Sequence, residues 1–323
     1  MSVIRRAAAI LLAALALPAF SQPYPSKPVK VIVAFAPGSA TDILARLMAD
    51  HFSKTLGQPF VVENRPGAGG IPGTEFAKNA PPDGYTLTMC PSGPFGINPA
   101  IYSKLPYNPL PGTDFEPIGN IGFTPQTLVV GAQQPWKSLK ELVAAAKAKP
   151  GEVAYGSLGI GSTSHLTVEA FSNAAGVKLN HIPFKGSGEA QAQLIGGSVP
   201  MMSDTVPGVL AQVKAGKLRA LGVAIPKRSP HLPEVPTIAE QGYPGFESVG
   251  WIGLAAPAKT PPEILNRLNA ELQKMLADPA VRKRMDELAF TPVGGTREEF
   301  AAFIRAEIAK WSQVAKASGA KAD

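Results

Sequence analysis

Hydroxyl side chains, glycines and one histidine are concentrated between residues 156 and 165, which read GSLGIGSTSH. These residue types suit a catalytic loop, a phosphate-binding loop or an anion-binding turn. Ser162, His165 and Asp204 supply a nucleophile, a base and an acid, so a serine-hydrolase triad is one hypothesis. The sequence alone does not bring these three side chains together, and only their proximity in the fold would support the triad.

The spacing within this loop does not match the motifs of phosphate, nucleotide or acyl chemistry. A P-loop needs a lysine and a hydroxyl residue directly after its last glycine, and neither this loop nor RPGAGGIPG has that pair. The dinucleotide pattern G-x-G-x-x-G is interrupted in both stretches, and the hydrolase pattern G-x-S-x-G does not occur. The four histidines show no metal-ligand spacing, so the sequence predicts neither a cofactor nor a metal.

A turn of small residues at the start of a helix can bind an anion. The first N–H groups of a helix have no intrahelical acceptor and carry the positive end of the helix dipole. Such a turn recurs in APGSAT, which contains Ser39. We therefore expect two turns to face each other across a cleft and to bind a carboxylate. The alternative is that the hydroxyls only cap their helices. The second turn contributes Ser157, Gly161, Ser162 and Thr163.

Five further residues are candidates for the cleft, and three of them also have a structural alternative. Phe35 is either a cleft wall or part of the core, and Asp42 either pairs with a ligand amine or stabilises its own helix. His165 either donates to a ligand or satisfies a buried carbonyl. The backbone of Gly186 is expected to meet the ligand. Asp204 follows a strand, where the ligand sites of α/β folds lie.

Strands that alternate with helices must position these turns, and the same order of elements occurs twice. From residue 29 to 90, and again from 152 to 204, the hydrophobic pattern predicts strand, glycine turn, helix, strand, glycine turn, helix and strand. Two such units predict an α/β fold with two lobes, each a mostly parallel sheet flanked by helices, with the ligand cleft between them. The helical tail after residue 260 is expected to return and cover the first lobe.

The predicted boundaries are approximate. We expect residues 22–124 and 226–323 to form lobe 1, and residues 125–225 to form lobe 2.

Residues 1–21 combine two arginines, a short apolar run and a small-residue exit, which is typical of a secretory signal cut after Ser21. The product would be exported, with the single cysteine, Cys90, unable to form an intramolecular disulfide. The net charge is +7, but the lysines and arginines are scattered and form no basic stripe interleaved with aromatic residues. Nucleic acid is therefore not an expected partner.

Seven segments are spread along nearly the whole mature chain: YPSKPVKVIVAFAPGSATDILAR, VVENRPGAGG, APPDGYTLTM, HIPFKGSGEA, AGKLRALGVAIPKRSP, LPEVPTIAEQG and VGGTREEFAAFIRAEIAKW. They resemble the Bug receptors, the extracytoplasmic solute-binding subunits of tripartite tricarboxylate transporters. The resemblance implies a two-lobed, type II-like periplasmic binding protein that closes on a small carboxylate and passes it to membrane subunits. The ligands that it implies are di- or tricarboxylates, acidic amino acids and aromatic acids.

The resemblance also implies where the ligand is bound. The first turn, from Phe35 to Asp42, would meet the ligand carboxylate with residues that include Pro37 and Gly38. The loop after the third strand would add Ser92, Gly93 and Asn98, and lobe 2 would add its turn from Ser157 to His165 and the strand-end residue Asp204. This chain has Ser39-Ala40 where further glycine is frequent and Phe184 where tyrosine is usual. These departures favour a mono- or aromatic carboxylate over citrate.

Three functions remain open from the sequence. The leading hypothesis is a monomeric periplasmic binding protein that has no enzymatic activity and feeds a tripartite transporter. The rival is a secreted α/β hydrolase that uses His165 with a serine. The third is a receptor that presents its ligand to a membrane sensor rather than to a permease. The identity of the carboxylate is not predicted.

Overall fold

The computed structural model describes residues 24–318 and residue 322, so the predicted signal and its cleavage after Ser21 lie outside the described residues. Ten strands and ten α-helices lie in this part of the chain. The strands are β1 (Val29–Val33), β2 (Phe60–Asn64), β3 (Thr86–Pro91), β4 (Phe115–Gly131), β5 (Ala154–Ser157), β6 (Asn180–Pro183), β7 (Met201–Thr205), β8 (Leu218–Val223), β9 (Val249–Pro257) and β10 (Thr291–Gly294). The helices are α1 (Ala40–Leu56), α2 (Ile71–Lys78), α3 (Asn98–Ile101), α4 (Leu139–Ala148), α5 (Thr163–Ala175), α6 (Ser187–Ile195), α7 (Val206–Lys214), α8 (Pro262–Ala277), α9 (Pro279–Glu287) and α10 (Arg297–Ser318).

The repeated unit predicted from the sequence is present twice, with the same strand order. In the first unit β1 pairs in parallel with β2 on one side and β3 on the other. In the second unit β5 pairs in parallel with β6 and β7. The two-lobed α/β fold is therefore confirmed. The parallel part of each sheet is three strands wide, and each sheet continues through antiparallel strands, β9 in the first lobe and β4 in both.

Strand β4 joins the two lobes. Its first half pairs with β9, from Phe115 opposite Pro257 to Pro125 opposite Val249. Its second half pairs with β7, beginning at Gln126 opposite Thr205, and with β8 on the other side. This exchange of partners between residues 125 and 126 supports the predicted lobe boundary near residue 124, which stays a prediction.

The cores follow from the burial pattern of these elements. Strand β1 is completely buried except at Lys30, as expected for a strand covered by helices on both faces. In lobe 1 the apolar face of α8 packs on this sheet through Leu268, Leu272 and Met275. Phe300 of α10 packs against Trp251 on β9. The returning tail therefore covers lobe 1, as predicted.

Three parts of the fold were not predicted. The first half of β4 contains Gly119, Gly122 and Pro125, which hide its strand pattern, and its pairing with β9 accordingly has two register shifts. The segment after β3, expected to be a loop, contains a π-helix at Gly93–Ile97. Helix α7 is short and starts close to a proline. In the described part of the chain, no helix has the length and apolarity needed to cross a membrane.

Candidate functional site

A cavity of about 50 Å³ lies between the two sheets, beside the point where β4 passes from one lobe to the other. A cavity needs about 10–15 Å³ of such space to hold one water, whereas small-molecule sites usually measure about 300–1,000 Å³. The lobes are therefore closed on each other in this structure. The residues that line the cavity are Phe35, Ser39, Ala40, Thr41, Pro91, Ser92, Gly93, Thr124, Gln126, Leu158, Ser162, Thr163, Ser164, Asp204, Thr205, Trp251 and Ile252.

Direct contacts between the lobes surround this cavity. The Oγ of Ser92 and the Oγ1 of Thr163 lie 2.7 Å apart and share a hydrogen bond. Gly161 has φ +79°, and a Cβ at this position would lie 2.2 Å from the Oδ1 of Asn98. A Cβ on Gly186 would lie 2.5 Å from the nearest lobe-1 side chain. Glycine is thus required for the close approach of the lobes, in addition to any role in anion binding.

The first turn leaves backbone donors free beside the cavity. Ser39 is the N-cap of α1, because its Oγ accepts a hydrogen bond from the N–H of Asp42 at 3.3 Å. The N–H groups of Ala40 and Thr41 make no hydrogen bond to any described residue. Both residues line the cavity at the positive end of α1. The hydroxyl that caps this helix is therefore that of Ser39.

Asp42 stabilises the turn from behind and does not line the cavity. Its carboxylate accepts hydrogen bonds from the N–H of Gly38 at 2.9 Å, from Asn64 at 2.9 Å and from Arg46 at 3.0 Å. Burial alone would raise the pKa of Asp42, but these hydrogen bonds outweigh it and hold the pKa below its usual value. Of the two roles considered for Asp42, the geometry supports stabilisation of its own helix.

The second turn repeats the arrangement of the first. Ser162 is the N-cap of α5, and its Oγ accepts a hydrogen bond from the N–H of His165 at 3.3 Å. The N–H groups of Thr163 and Ser164 make no hydrogen bond to any described residue, and both residues line the cavity. Two helix N-termini from opposite lobes therefore offer four free N–H groups to one cavity, together with the hydroxyls around them.

The two histidines of this lobe stack behind the second turn. The rings of His165 and His181 have centroids 4.2 Å apart, and Tyr155 stacks on His181 at 4.8 Å. The Nε2 of His181 lies 2.6 Å from the Oγ of Ser157. Burial lowers the pKa of His165 to about 4, and burial, with a smaller contribution from His165, lowers the pKa of His181 to about 4. Both rings are therefore neutral at pH 7.

The hypothetical triad is not assembled in this structure. The Oγ of Ser162 donates to the carbonyl of Gly159 at 2.6 Å. The Nδ1 of His165 accepts from the N–H of Gly161 at 3.4 Å, and its ring stacks on His181. Asp204 instead binds the side chains of Ser187 and Gln191 and the N–H of Thr205. Within the described residues, no three histidine, cysteine, aspartate or glutamate side chains are grouped to hold a metal ion.

The sequence-predicted site residues divide into two groups, and the binding role of each remains a prediction. Pro37 and Gly38 are exposed, and Gly186 and Asn98 take part in contacts between the lobes. The predicted residues that line the cavity are Phe35, Ser39, Ser92, Gly93, Ser162, Thr163 and Asp204. Those that lie outside its lining are Pro37, Gly38, Asp42, Asn98, Ser157, Gly161, His165 and Gly186.

Sequence reasoning missed the part of the lining that comes from the strands joining the lobes. Thr124 and Gln126 alternate on β4 and are buried polar residues of a mostly apolar strand, which is the signal that could have identified them. Gln126 accepts from Ser203 at 3.1 Å through its Oε1, which leaves its Nε2 as a donor without a partner among the described residues. Trp251 on β9 is a core residue, 1 % exposed, that also lines the cavity.

Comparisons with known proteins agree with this geometry. Residues 44–320 match the family model described as the tripartite tricarboxylate transporter family receptor. The chain belongs to this family. It is 39 % identical to protein BugT of Bordetella pertussis over 97 % of this chain and 95 % of that protein. The resemblance to the Bug receptors is therefore confirmed.

Two solved structures of similar proteins contain bound acids. One is Rpa4515 of Rhodopseudomonas palustris with adipate. The two sequences are 36 % identical, and the superposition covers 92 % of this chain and 98 % of Rpa4515 with a TM-score of 0.88. The other is MatC from the same organism with bound malate. It is 33 % identical, and the superposition covers 90 % of this chain and 99 % of MatC with a TM-score of 0.85. Both are similar to this receptor in fold over nearly their whole length.

Proposed function

We propose that this receptor captures a small carboxylate in the cavity by closure of its two lobes, without chemical conversion of the ligand. The observation that carries the proposal is the convergence of two helix N-termini, one from each lobe, with free N–H groups at Ala40, Thr41, Thr163 and Ser164. Backbone N–H groups and the helix dipole favour negative charge. The adipate and malate named for the two R. palustris proteins support the same class of ligand.

The closed structure supports capture by lobe movement. A cavity of about 50 Å³ cannot admit an acid of this size, so the contacts between Ser92 and Thr163 and between Gly161 and Asn98 must separate before the ligand enters. Closure then brings the second set of donors onto a ligand already held by the first. Family membership supports periplasmic action and delivery of the ligand to the membrane subunits of a tripartite transporter.

A thermal-shift screen of the ligand-free protein against a panel of carboxylates tests this function. A ligand at one hundred times its dissociation constant adds about 2.7 kcal/mol to the free energy of unfolding. For a chain of this size, we expect the midpoint of unfolding to rise by several degrees with one class of acids. A shift with neutral or cationic compounds, and none with acids, would contradict the proposal.

A proline substitution tests the backbone donor directly. Ala40 is the first residue of α1, and the preceding Ser39 has φ −66° and ψ 157°, values that proline accepts in its neighbour. Ala40→Pro removes one N–H from the cavity while the helix keeps its start. We expect the dissociation constant of the best acid to rise at least tenfold. Ala40→Ser, which keeps the N–H, should cause a much smaller loss; equal losses would contradict the role of this donor.

A further inference from the structure

Gln126 presents a hydrogen-bond donor to the cavity at the point where β4 passes between the lobes. Its side chain lines the cavity, and the residue is only 2 % exposed. The Oε1 accepts a hydrogen bond from the Oγ of Ser203 at 3.1 Å, which leaves the other end of the amide, the Nε2, without an acceptor among the described residues. A buried donor without an acceptor is costly, so a ligand atom that accepts from this Nε2 is favoured.

The backbone of Gln126 is held as firmly as its side chain. Its N–H donates to the carbonyl of Ser248 at 3.1 Å, and its carbonyl accepts from the N–H of Ala224 at 2.8 Å. The N–H of Ser248 donates to the carbonyl of Ala224 at 2.9 Å. These three hydrogen bonds form a closed ring that ties β4 to the end of β8 and to the start of β9. The amide therefore loses little freedom when a ligand binds to it.

The wall beside this amide is polar but uncharged. Thr124 lies two residues earlier on β4, lines the cavity and is 2 % exposed. Gly250 is opposite Thr124 on β9, where a Cβ would lie 2.7 Å from the Oγ1 of Thr124, so the glycine leaves room for this hydroxyl. Among the described residues that line the cavity, none is a lysine, an arginine or a histidine. A second polar group of the ligand therefore meets neutral amide and hydroxyl groups here.

The chemistry of the amide decides which ligand group fits it. An oxygen atom accepts a hydrogen bond from the Nε2, whereas an ammonium brings only further donors and a methyl group leaves the amide unpaired. Sites built to hydrogen-bond a ligand group reject analogues that lack it. We propose that Gln126, oriented by Ser203, selects acids with a second acceptor oxygen, in a keto or carboxylate group, over acids of the same length that end in a methyl or an ammonium group. This inference rests on the proposed function, in which the helix N–H groups bind the first carboxylate.

Calorimetric titration of the ligand-free full chain with two matched series of acids tests the selection. The five-carbon series is 4-oxopentanoate, glutarate, pentanoate and 5-aminopentanoate, and the six-carbon series is 5-oxohexanoate, adipate, hexanoate and 6-aminohexanoate. In the series that binds, we expect the keto acid or the diacid to bind at least tenfold more tightly than the alkyl and amino acids. An alkyl or amino acid that binds as tightly as both, or a wider panel in which only acids without a second acceptor oxygen bind, overturns the inference but leaves the proposed function intact.

Gln126→Met keeps nearly the length of the side chain and removes its amide. We expect this variant to bind the preferred keto acid or diacid at least tenfold more weakly, and to bind the alkyl acid within threefold of the unchanged protein. Gln313→Met makes the same replacement at an exposed position of α10 and should alter neither affinity.

The two classes of acid separate recognition of the ligand from damage to the cavity. Equal losses for the keto acid and the alkyl acid in Gln126→Met, or no loss for either, overturn the inference. If that variant does not fold, the two series on the unchanged protein decide the question. Silence from every acid in the wider panel would instead refute the proposed function.

Discussion

The two turns that face the cavity share one design but differ in what supports them. Each follows a parallel strand, starts a helix with a serine N-cap and leaves two N–H groups free. Behind the first turn stands Asp42, an ionised carboxylate held by Arg46, whereas behind the second stand the neutral rings of His165 and His181. The donors that face the ligand are therefore alike in the two lobes, while their stability responds to different conditions.

Removal of the Asp42 carboxylate behind the first turn should have the largest effect on stability. Asp42→Ala removes the acceptor for Arg46, Asn64 and the N–H of Gly38, so we expect the free energy of unfolding to fall by about 3 kcal/mol. Denaturation in urea measures it. Asp50→Ala is the matched control, because Asp50 is an exposed carboxylate of the same helix paired with Lys54, and should cost less than about 0.5 kcal/mol. Equal losses for both variants would refute the structural role of Asp42.

The neutral, stacked rings of His165 and His181 should make lobe 2 sensitive to acid. The folded protein protonates His165 and His181 only near pH 4, whereas an unfolded histidine binds a proton near pH 6.5. The unfolded state thus binds more protons between these values, so the free energy of unfolding should fall as the pH drops from about 6.5 to about 4. Because the rings are partly exposed, we expect a loss of about 1–2 kcal/mol for each.

Urea denaturation at several pH values separates this contribution from that of other groups. The double variant with His165→Asn and His181→Asn should show a weaker dependence in this window. His231→Asn leaves the stacked pair intact and should retain the full dependence. A double variant with the same pH profile as the unchanged protein would show that these rings do not set the acid sensitivity.

A third substitution tests the closure that brings the turns together. Gly161→Ala places a Cβ 2.2 Å from the Oδ1 of Asn98, so we expect incomplete closure and a dissociation constant for the best acid about tenfold higher. Gly176→Ala has a similar φ, +61° against +79°, but meets nothing within 4 Å. It should lower stability by a similar backbone penalty and leave affinity unchanged. Affinity losses of equal size would show that closure does not require this contact.

The smallest effect is expected from the hydroxyl pair that joins the lobes. Ser92→Ala removes the partner of the Thr163 hydroxyl, a hydrogen bond that exists in the closed form. A net value of about 1 kcal/mol corresponds to an affinity about fivefold weaker, measurable by calorimetry. Thr163→Ser keeps a hydroxyl at the other end and should bind nearly as the unchanged protein does. An affinity that Ser92→Ala leaves intact would argue that the pair contributes nothing to closure.

Periodic patterns made most of the fold predictable. The repeated units have buried strands and amphipathic helices, and their caps are encoded locally by Ser39 and Ser162. Glycines and prolines hid the first half of β4, because its regularity depends on pairing with β9 rather than on its own residues. The number of parallel strands in each sheet, three, likewise depends on pairing between residues that are distant in sequence.

The site was predictable only where it is local in sequence. The two turns were found because a glycine-rich turn before a helix is visible in a short window. Gln126 and Thr205 reach the cavity because β4 and β7 pair in one register, which sequence spacing does not reveal. Gly161 and Gly186 were interpreted through their backbone donors, whereas the structure shows that each also lets the lobes touch.

Amide chemical shifts test the central claim most directly. In ¹⁵N-labelled protein titrated with the acid that gives the largest thermal shift, the N–H groups of Ala40, Thr41, Thr163 and Ser164 should move downfield together and with one dissociation constant, because both helix N-termini would donate to one ligand. Shifts confined to one lobe, or centred on residues outside the cavity, would contradict the account of an anion held between two helix N-termini.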